Sequence, residues 1–159
     1  MSIRTSHVEH IDRVRTCYIM YKDYPIGTLT EEYSSLSGES SWVIKPIWEN
    51  FDKEPNEHGG ITGIDEDLRL NEYVRRYEPV FVTQRIPPRN REDINEILKS
   101  IKLEEYDTFE VLCRLRGICG NDDVYVARTP DDIVDVNTAT PFNCPPSIPD
   151  YDTDKYGWL

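Results

Sequence analysis

The chain of 159 residues carries 18 lysines and arginines against 30 aspartates and glutamates, so its formal net charge is -12. This length is typical of one domain whose core is stable without metals or disulfides. The acidic balance disfavours direct nucleic-acid binding, because a polyphosphate backbone is repelled by a protein of the same sign. No apolar run is long enough for a signal peptide or a membrane span. We therefore expect a cytoplasmic protein with no membrane partner.

The cysteine and histidine pattern bears on metals and cofactors. The four cysteines form no CxxC pair, and no histidine lies near enough to complete a zinc-finger set. This scatter is typical of reduced, buried thiols, so we predict no metal site and no cofactor. His58 has two interpretations, a catalytic or metal-binding residue and an ordinary loop residue. The other histidines, His7 and His10, lie close to the N-terminus, which disfavours the first interpretation.

The first part of the chain predicts mainly strands. Residues 1–13 are polar and predict a flexible arm, and residues 14–30 predict an opening β-hairpin with its turn around Asp23. A polar stretch over residues 31–41 predicts a surface loop, with a short strand at Tyr33–Leu36 as an alternative for part of it, and the apolar run at residues 42–48 predicts a third strand. These strands indicate a small antiparallel sheet or a partial barrel.

A long polar segment follows the third strand. Residues 49–63 combine acids, proline and three glycines, which predicts a long loop. Because such loops often carry binding sites, this loop with Trp48 beside it is a candidate partner-binding surface. The alternative is a plain insertion between the sheet and the helices. Residues 65–76 begin with acids and end with arginines, which predicts a helix from Asp65.

The stretch 81–126 contains the clearest local signals. A helix is predicted after Pro87-Pro88 with Asn90 as its N-cap, because isoleucines and a leucine recur beyond it at helical spacing. The proline pair ends the preceding loop, since proline is not tolerated inside a helix or a central strand.

A second helix and a returning strand complete this stretch. The helix is predicted to begin at Asp107 or Thr108 and to end at Gly117. The strand is predicted at Val124–Val126, where β-branched and aromatic residues cluster. The predicted fold is therefore α+β, with a small antiparallel sheet packed against two to three helices.

An arginine cluster precedes the first of these helices. Arg85, Arg89 and Arg91 concentrate positive charge in one short region of an acidic chain. One interpretation is that their guanidinium groups bind a phosphate or an acidic partner through paired hydrogen bonds. The other is that they neutralise neighbouring carboxylates. We predict these three arginines and Trp48 as partner-binding residues, and we predict no catalytic residue.

Residues 129–159 are rich in proline and acids, which predicts an extended C-terminal tail. Aromatic residues in the tail either dock back on the domain or form a short linear motif for another protein. The predicted organisation is an arm over residues 1–13, a domain over residues 14–128 and this tail.

The order of these elements resembles the N-terminal regulatory subdomain of HipA-type toxin kinases, which belong to bacterial toxin–antitoxin systems. The resemblance covers residues 16–128 and depends on packing and turn signatures rather than on catalytic motifs. Five pieces of the chain match in order: Ile26–Thr30, Phe81–Pro88, Arg91 with residues 93–98, Phe109–Leu112 with Gly117, and Asp123–Val126.

This resemblance implies a regulatory function. A HipA-type kinase needs a Gly-rich ATP loop, a catalytic aspartate and metal ligands, and this sequence contains none of these motifs. Stand-alone copies of the subdomain are similar to the HipS-type antitoxin, which binds a separately encoded kinase and inhibits it. The resemblance therefore implies a non-catalytic protein-binding regulator with a HipA-like kinase as the candidate partner. The loop at residues 49–63 and the tail depart from the family pattern, which leaves the partner's identity open.

Two other function classes remain open. An enzyme with an unrecognised site would need a deep pocket that collects Asp122, Asp123 or His58. A nucleic-acid-associated accessory module of a toxin–antitoxin or defence complex would need a surface of clustered arginines, although the net charge disfavours it. The candidates for that surface are Arg85, Arg89, Arg91, Arg114 and Arg116.

Overall fold

The computed structural model describes residues 11–119 and 122–137. Within them the chain forms a five-stranded antiparallel sheet and five short helices, which confirms the predicted α+β class. Most of the predicted arm and of the Pro-rich tail lie outside the described residues. The elements are β1 (Arg13–Tyr21), β2 (Tyr24–Ser34), β3 (Glu39–Pro46), α1 (Trp48–Phe51), α2 (Pro55–His58), β4 (Tyr73–Arg75), α3 (Val80–Thr83), α4 (Ile94–Ser100), α5 (Thr108–Arg114) and β5 (Val124–Ala127).

The sheet has the strand order β4-β3-β2-β1-β5. The predicted opening hairpin is present as β1 and β2, joined by a tight turn in which Lys22 has a positive φ of 56°. The predicted loop over residues 31–41 is wrong for most of its length. Tyr33 pairs with Ser40, so the two strands continue almost to the turn between them. The acidic residue Glu31 is compatible with β2 because its carboxylate pairs with Arg13 and Arg15 on β1.

The helix predicted from Asp65 is also wrong. The carboxylate of Asp65 accepts hydrogen bonds from the main-chain N–H groups of Asp67 and Leu68, which is a turn typical of aspartate. Further along, Tyr73 begins β4, which pairs with β3 at the edge of the sheet. The Tyr73 hydroxyl holds the turn by contacting the main chain of Asp65, Leu68 and Leu70. Tertiary pairing therefore overrides the charge pattern that favours a helix.

The first helix of the central stretch begins later than predicted. The N-cap of α4 is Asp93 and not Asn90. The N–H of Arg91 donates to the carbonyl of Pro88 and the N–H of Ile94 donates to that of Arg91, so turns precede the helix. After α4, Lys102 has a φ of 62°. The N–H of Lys102 donates to the carbonyl of Lys99 and that of Leu103 donates to the carbonyl of Leu98, which caps the C-terminus of the helix.

The second helix is close to its prediction. Asp107 is the N-cap of α5, and its carboxylate accepts a hydrogen bond from the N–H of Glu110. The helix ends at Arg114, after which both Arg116 and Gly117 have positive φ angles, 63° and 61°. The predicted strand at Val124 is present as β5.

Two apolar clusters lie on opposite faces of the sheet. The larger cluster packs the helices against one face and includes Ile19, Leu29 and Phe109. The smaller cluster lies on the other face around Met20 and Tyr125, and the segment 129–137 packs on it through valines. No helix in the described part of the chain is long and apolar enough to cross a membrane.

Candidate functional site: an arginine-lined cleft

A polar cleft of about 320 Å³ opens at one end of the sheet. Four arginines line it, and we call it the arginine cleft: Arg13, Arg15, Arg76 and Arg89. Three carboxylates lie in the same walls, so the cleft has a local formal charge of +1 in a chain whose net charge is -12.

The inner wall of the cleft is held by Arg15. Its guanidinium donates to Glu31 on β2 at 2.9 Å from Nε and to Asp107 at 2.9 Å from Nη1. Burial alone lowers the pKa of Arg15, but the hydrogen bonds with Asp107 and Glu31 raise it above its ordinary value. Burial alone raises the pKa of Asp107, but the hydrogen bonds and charge of Arg15 hold it below its usual range. Both groups are therefore charged at neutral pH, and Arg15 is fixed in position.

A buried ion-pair network continues behind this wall. Glu110 on α5 is 0% exposed, and its carboxylate accepts hydrogen bonds from Arg114 at 3.0 Å and from Arg128. Arg15 Nη1 lies 4.0 Å from the same carboxylate. The network joins β1, α5 and the segment after β5. Because an unpaired buried charge is costly, an arrangement of these elements that separates the charges is disfavoured.

The outer wall is formed by Arg89 and its neighbours. The Arg89 guanidinium lies 4.3 Å from the ring centroid of Tyr106 and donates to the hydroxyl of Thr108 at 3.1 Å. Burial raises the pKa of Tyr106 to about 12, although the charge of Arg89 acts in the opposite direction. The Arg89 side chain is nevertheless 60% exposed, and its nearest carboxylate, Glu78, is 3.6 Å away. Arg89 can therefore accept a further anion.

Two more arginines complete the rim. Arg13 stacks over the ring of Tyr33 at 4.8 Å and contacts Glu31 at 3.2 Å, while its side chain remains 43% exposed. Arg76 is exposed and has no hydrogen bond or ion pair with any other described residue. The adjacent Tyr77 is 65% exposed and lines the same cleft. The rim thus combines cationic groups with an exposed aromatic side chain, a composition common in protein interfaces.

The structure separates the three arginines that the sequence grouped together. Arg89 lines the cleft, but Arg85 is only 1% exposed and lies in the interior. Its guanidinium donates to the carbonyls of Gly117 and Val124, each at 2.9 Å, and to the Asp122 carboxylate. The expectation that Arg85 presents a surface charge is therefore wrong, because main-chain carbonyls and one carboxylate use its donors.

Arg91 and Trp48 also lie apart from the cleft. Arg91 Nε contacts Asp93 at 2.6 Å, in agreement with the alternative that these arginines neutralise neighbouring acids. Trp48 donates from Nε1 to the carbonyl of Leu70 at 3.0 Å, and Arg69 lies 4.5 Å above its ring. The partner-binding prediction for both residues stays a prediction, although neither lines the arginine cleft.

Of the three residues named for an unrecognised enzyme site, His58 and Asp122 have structural partners and Asp123 is exposed. His58 is buried, with Nε2 at 2.7 Å from the carbonyl of Phe51 and Nδ1 accepting the N–H of Gly60 at 2.8 Å. Asp122 binds Arg85 and does not share a contact with His58. Across residues 11–119 and 122–137, no group of His, Cys, Asp and Glu side chains has an arrangement that could hold a metal ion.

Two buried thiols have no reactive character. Cys17 on β1 and Cys113 on α5 are both buried. A hydrogen bond with Cys113, and then burial, raise the pKa of the Cys17 thiol well above its ordinary value. The protonated thiol of Cys17 is therefore a poor nucleophile, and both cysteines are buried as core residues.

Sequence reasoning missed three of the four cleft arginines. Arg13 and Arg15 alternate along β1 and therefore share one face of the strand, a signal that was available from their spacing. Arg76 lies in the segment predicted as a helix, so its position at the rim could not be inferred from the sequence.

No protein-family model matches the chain, and no curated protein or solved structure is significantly similar to it.

Proposed function

We propose that this chain is a non-catalytic protein-binding regulator that docks on a separately encoded HipA-like kinase and inhibits it, as a HipS-type antitoxin does. The observation that carries the proposal is the arginine cleft, an open cationic surface in a strongly acidic protein. The kinase as partner comes from the resemblance of residues 16–128 to the regulatory subdomain of such enzymes.

The construction of the cleft supports binding rather than chemistry. Its inner wall is a saturated set of ion pairs around Arg15, which holds the wall in place before a ligand arrives. Its rim exposes the guanidiniums of Arg76 and Arg89 and the ring of Tyr77. A preorganised inner wall beneath a cationic and aromatic rim suits an anionic group on another protein, because little conformational entropy is lost on docking.

The environments of the titratable residues also support a non-catalytic function. His58 uses both ring nitrogens in main-chain hydrogen bonds. Asp122 pairs with Arg85, and Glu110 pairs with both Arg114 and Arg128. Groups held in this way stabilise the fold, and releasing one to move protons would leave a buried charge without its partner.

Affinity purification of the tagged full-length chain from its native host tests this proposal. The wild type should retain a protein whose sequence contains an ATP loop and a catalytic aspartate, and that protein's phosphoryl transfer should fall when the chain is added. Arg89→Ala and Trp48→Ala test the two separate candidate surfaces. Lys99→Ala is the control, since Lys99 is exposed on α4 and does not line the cleft. Failure of the wild type to retain any kinase would contradict the proposal.

A nucleic-acid-associated accessory function is the second candidate, and the four arginines of the cleft favour it. The set named from the sequence does not form a surface, because Arg85 and Arg114 are buried. Gel retardation with single-stranded and duplex DNA separates the two functions. DNA binding that weakens steeply with salt, and that Arg76→Ala with Arg89→Ala abolishes, would replace the protein-binding proposal.

A further inference from the structure

We propose that the arginine cleft is a receptor for one phosphate group carried on a protein segment, and that Glu78 occupies this receptor in the free protein. The inference rests on the proposed protein-binding function and adds the chemical class of the ligand. It also assigns a competing internal carboxylate to the same site.

The cleft contains charges that are already paired and charges that remain available to a ligand. Glu31 and Asp107 both bind Arg15, and the Arg15 side chain is largely buried between them. These three groups form the closed part of the cleft. The open part contains the exposed guanidiniums of Arg76 and Arg89, with Arg13 further along the rim.

Glu78 is the remaining carboxylate of the cleft. It accepts a hydrogen bond from the Thr108 hydroxyl and lies 3.6 Å from Nη2 of Arg89. The same Arg89 nitrogen donates to Thr108 at 3.1 Å. One hydroxyl and one guanidinium thus converge on a carboxylate, the kind of donor set that also binds an external anion. Glu78 is part-exposed, so it can leave without uncovering a buried charge.

The donors of the cleft favour a phosphate over a carboxylate. A phosphate monoester carries about -1.5 to -2 charge at pH 7 and three acceptor oxygens. Arg76, Arg89 and Thr108 line the same cleft, and a phosphate offers them more charge and more acceptor oxygens than the singly charged Glu78, which it can displace. An external carboxylate has no such advantage over Glu78, because Glu78 carries the same group and is covalently part of the protein.

The size and the net charge decide what carries the phosphate. A cleft of about 320 Å³ holds a phosphate and part of one side chain but not a run of nucleotides. The charge of -12 repels a polyanion over long range, whereas one phosphate on an otherwise uncharged peptide avoids most of that repulsion. The exposed ring of Tyr77 can cover the peptide beside the phosphate.

Isothermal titration calorimetry on the full chain at low salt tests the proposal. The probes are a five-residue alanine–glycine peptide with a central phosphoserine, the same peptide with serine or glutamate, inorganic phosphate, and a 5′-phosphorylated single-stranded oligonucleotide. The phosphoserine peptide should bind about tenfold more tightly than the serine and glutamate peptides, as expected for charge-assisted hydrogen bonds.

Three variants test which residues control the affinity for the phosphoserine peptide. Glu78→Gln should tighten binding of the phosphoserine peptide about threefold or more, since it removes the competing charge. The double variant Arg76→Ala with Arg89→Ala should weaken it about tenfold. Arg69→Ala should leave it unchanged, because Arg69 is an exposed arginine outside the cleft. A gain of affinity in Glu78→Gln cannot result from misfolding, so the prediction survives any instability of the alanine variants.

Each remaining outcome contradicts a defined part of the proposal. Equal affinity for the phosphoserine and serine peptides, or no change in Glu78→Gln, overturns it. Equal affinity for inorganic phosphate shows a free-anion site, and tighter binding of the oligonucleotide shows a nucleic-acid site. If the phosphopeptide binds as expected but no kinase is retained from the host, the phosphate receptor stands and the antitoxin function falls. If a kinase is retained from the host but the phosphopeptide does not bind, the antitoxin function stands and only the phosphate receptor is contradicted.

Discussion

Arg85→Ala should destabilise the fold by about 3–5 kcal/mol, because it removes one member of a buried, hydrogen-bonded charge cluster. The guanidinium donates to the carbonyls of Gly117 and Val124 and to the Asp122 carboxylate. It also lies 4.5 Å from the ring centroid of Phe81. The side chain is 1% exposed, so alanine leaves a cavity and unpaired acceptors that water reaches poorly.

Urea unfolding followed by tryptophan fluorescence measures this loss. Trp42 is buried against the core and reports the transition. With an m value of about 2 kcal/mol/M, a loss of about 4 kcal/mol lowers the midpoint by about 2 M. Arg85→Lys keeps the charge but lacks the forked donors, so its midpoint should fall between the wild type and Arg85→Ala.

Arg89→Ala is the matched control. Its side chain is largely exposed, so the change should alter the free energy of unfolding by less than about 1 kcal/mol. The reasoning would be refuted if Arg85→Ala stayed within about 1 kcal/mol of the wild type, or if the two arginines proved equally costly to remove.

Lys102→Gly should stabilise the fold by about 0.5–1 kcal/mol, because Lys102 holds a φ of 62° that glycine adopts without strain; a lower melting temperature would contradict this. Gly117→Ala should destabilise it by about 1–2 kcal/mol, since its φ is 61° and a methyl group would meet neighbouring side chains at 3.3 Å; thermal unfolding measures the change, and an unchanged melting temperature would count against it. His58→Ala should cost about 2–3 kcal/mol by leaving two main-chain groups unpaired, and wild-type stability in urea would argue against that function of the ring. Because Arg15 lowers the pKa of Asp107, the stability that this pair contributes should be complete above about pH 4 and should disappear as pH falls through the lower folded pKa. Acid unfolding of Asp107→Asn should lack that component, and identical acid profiles for the wild type and the variant would refute the assignment.

Local signals in the sequence predicted the elements whose stability depends on near neighbours. The hairpin of β1 and β2 follows from two runs of strand-forming residues around a tight turn. The start of α5 follows from Asp107, whose carboxylate accepts a hydrogen bond only three residues away. These features are predictable because the interacting groups are close in the chain.

The same reasoning misjudged segments whose partners are distant. The acids and arginines over residues 65–76 favour a helix, but pairing of Tyr73–Arg75 with β3 decides the outcome. Arg85 looks like a surface charge in the sequence, yet its acceptors are supplied from residues 117–124. A charged side chain is tolerated inside a protein only when other segments satisfy its hydrogen bonds, and sequence spacing does not reveal those partners.

The sequence by itself therefore determined the α+β class, the opening hairpin, the cap of α5 and the acidic character of the chain. Only the tertiary structure decided which arginines face solvent. The arginine cleft brings together Arg13, Arg15, Arg76 and Arg89 from three separate parts of the chain. The physical reason is that a binding surface depends on which charges remain exposed after folding, and that is settled by burial and pairing between distant segments.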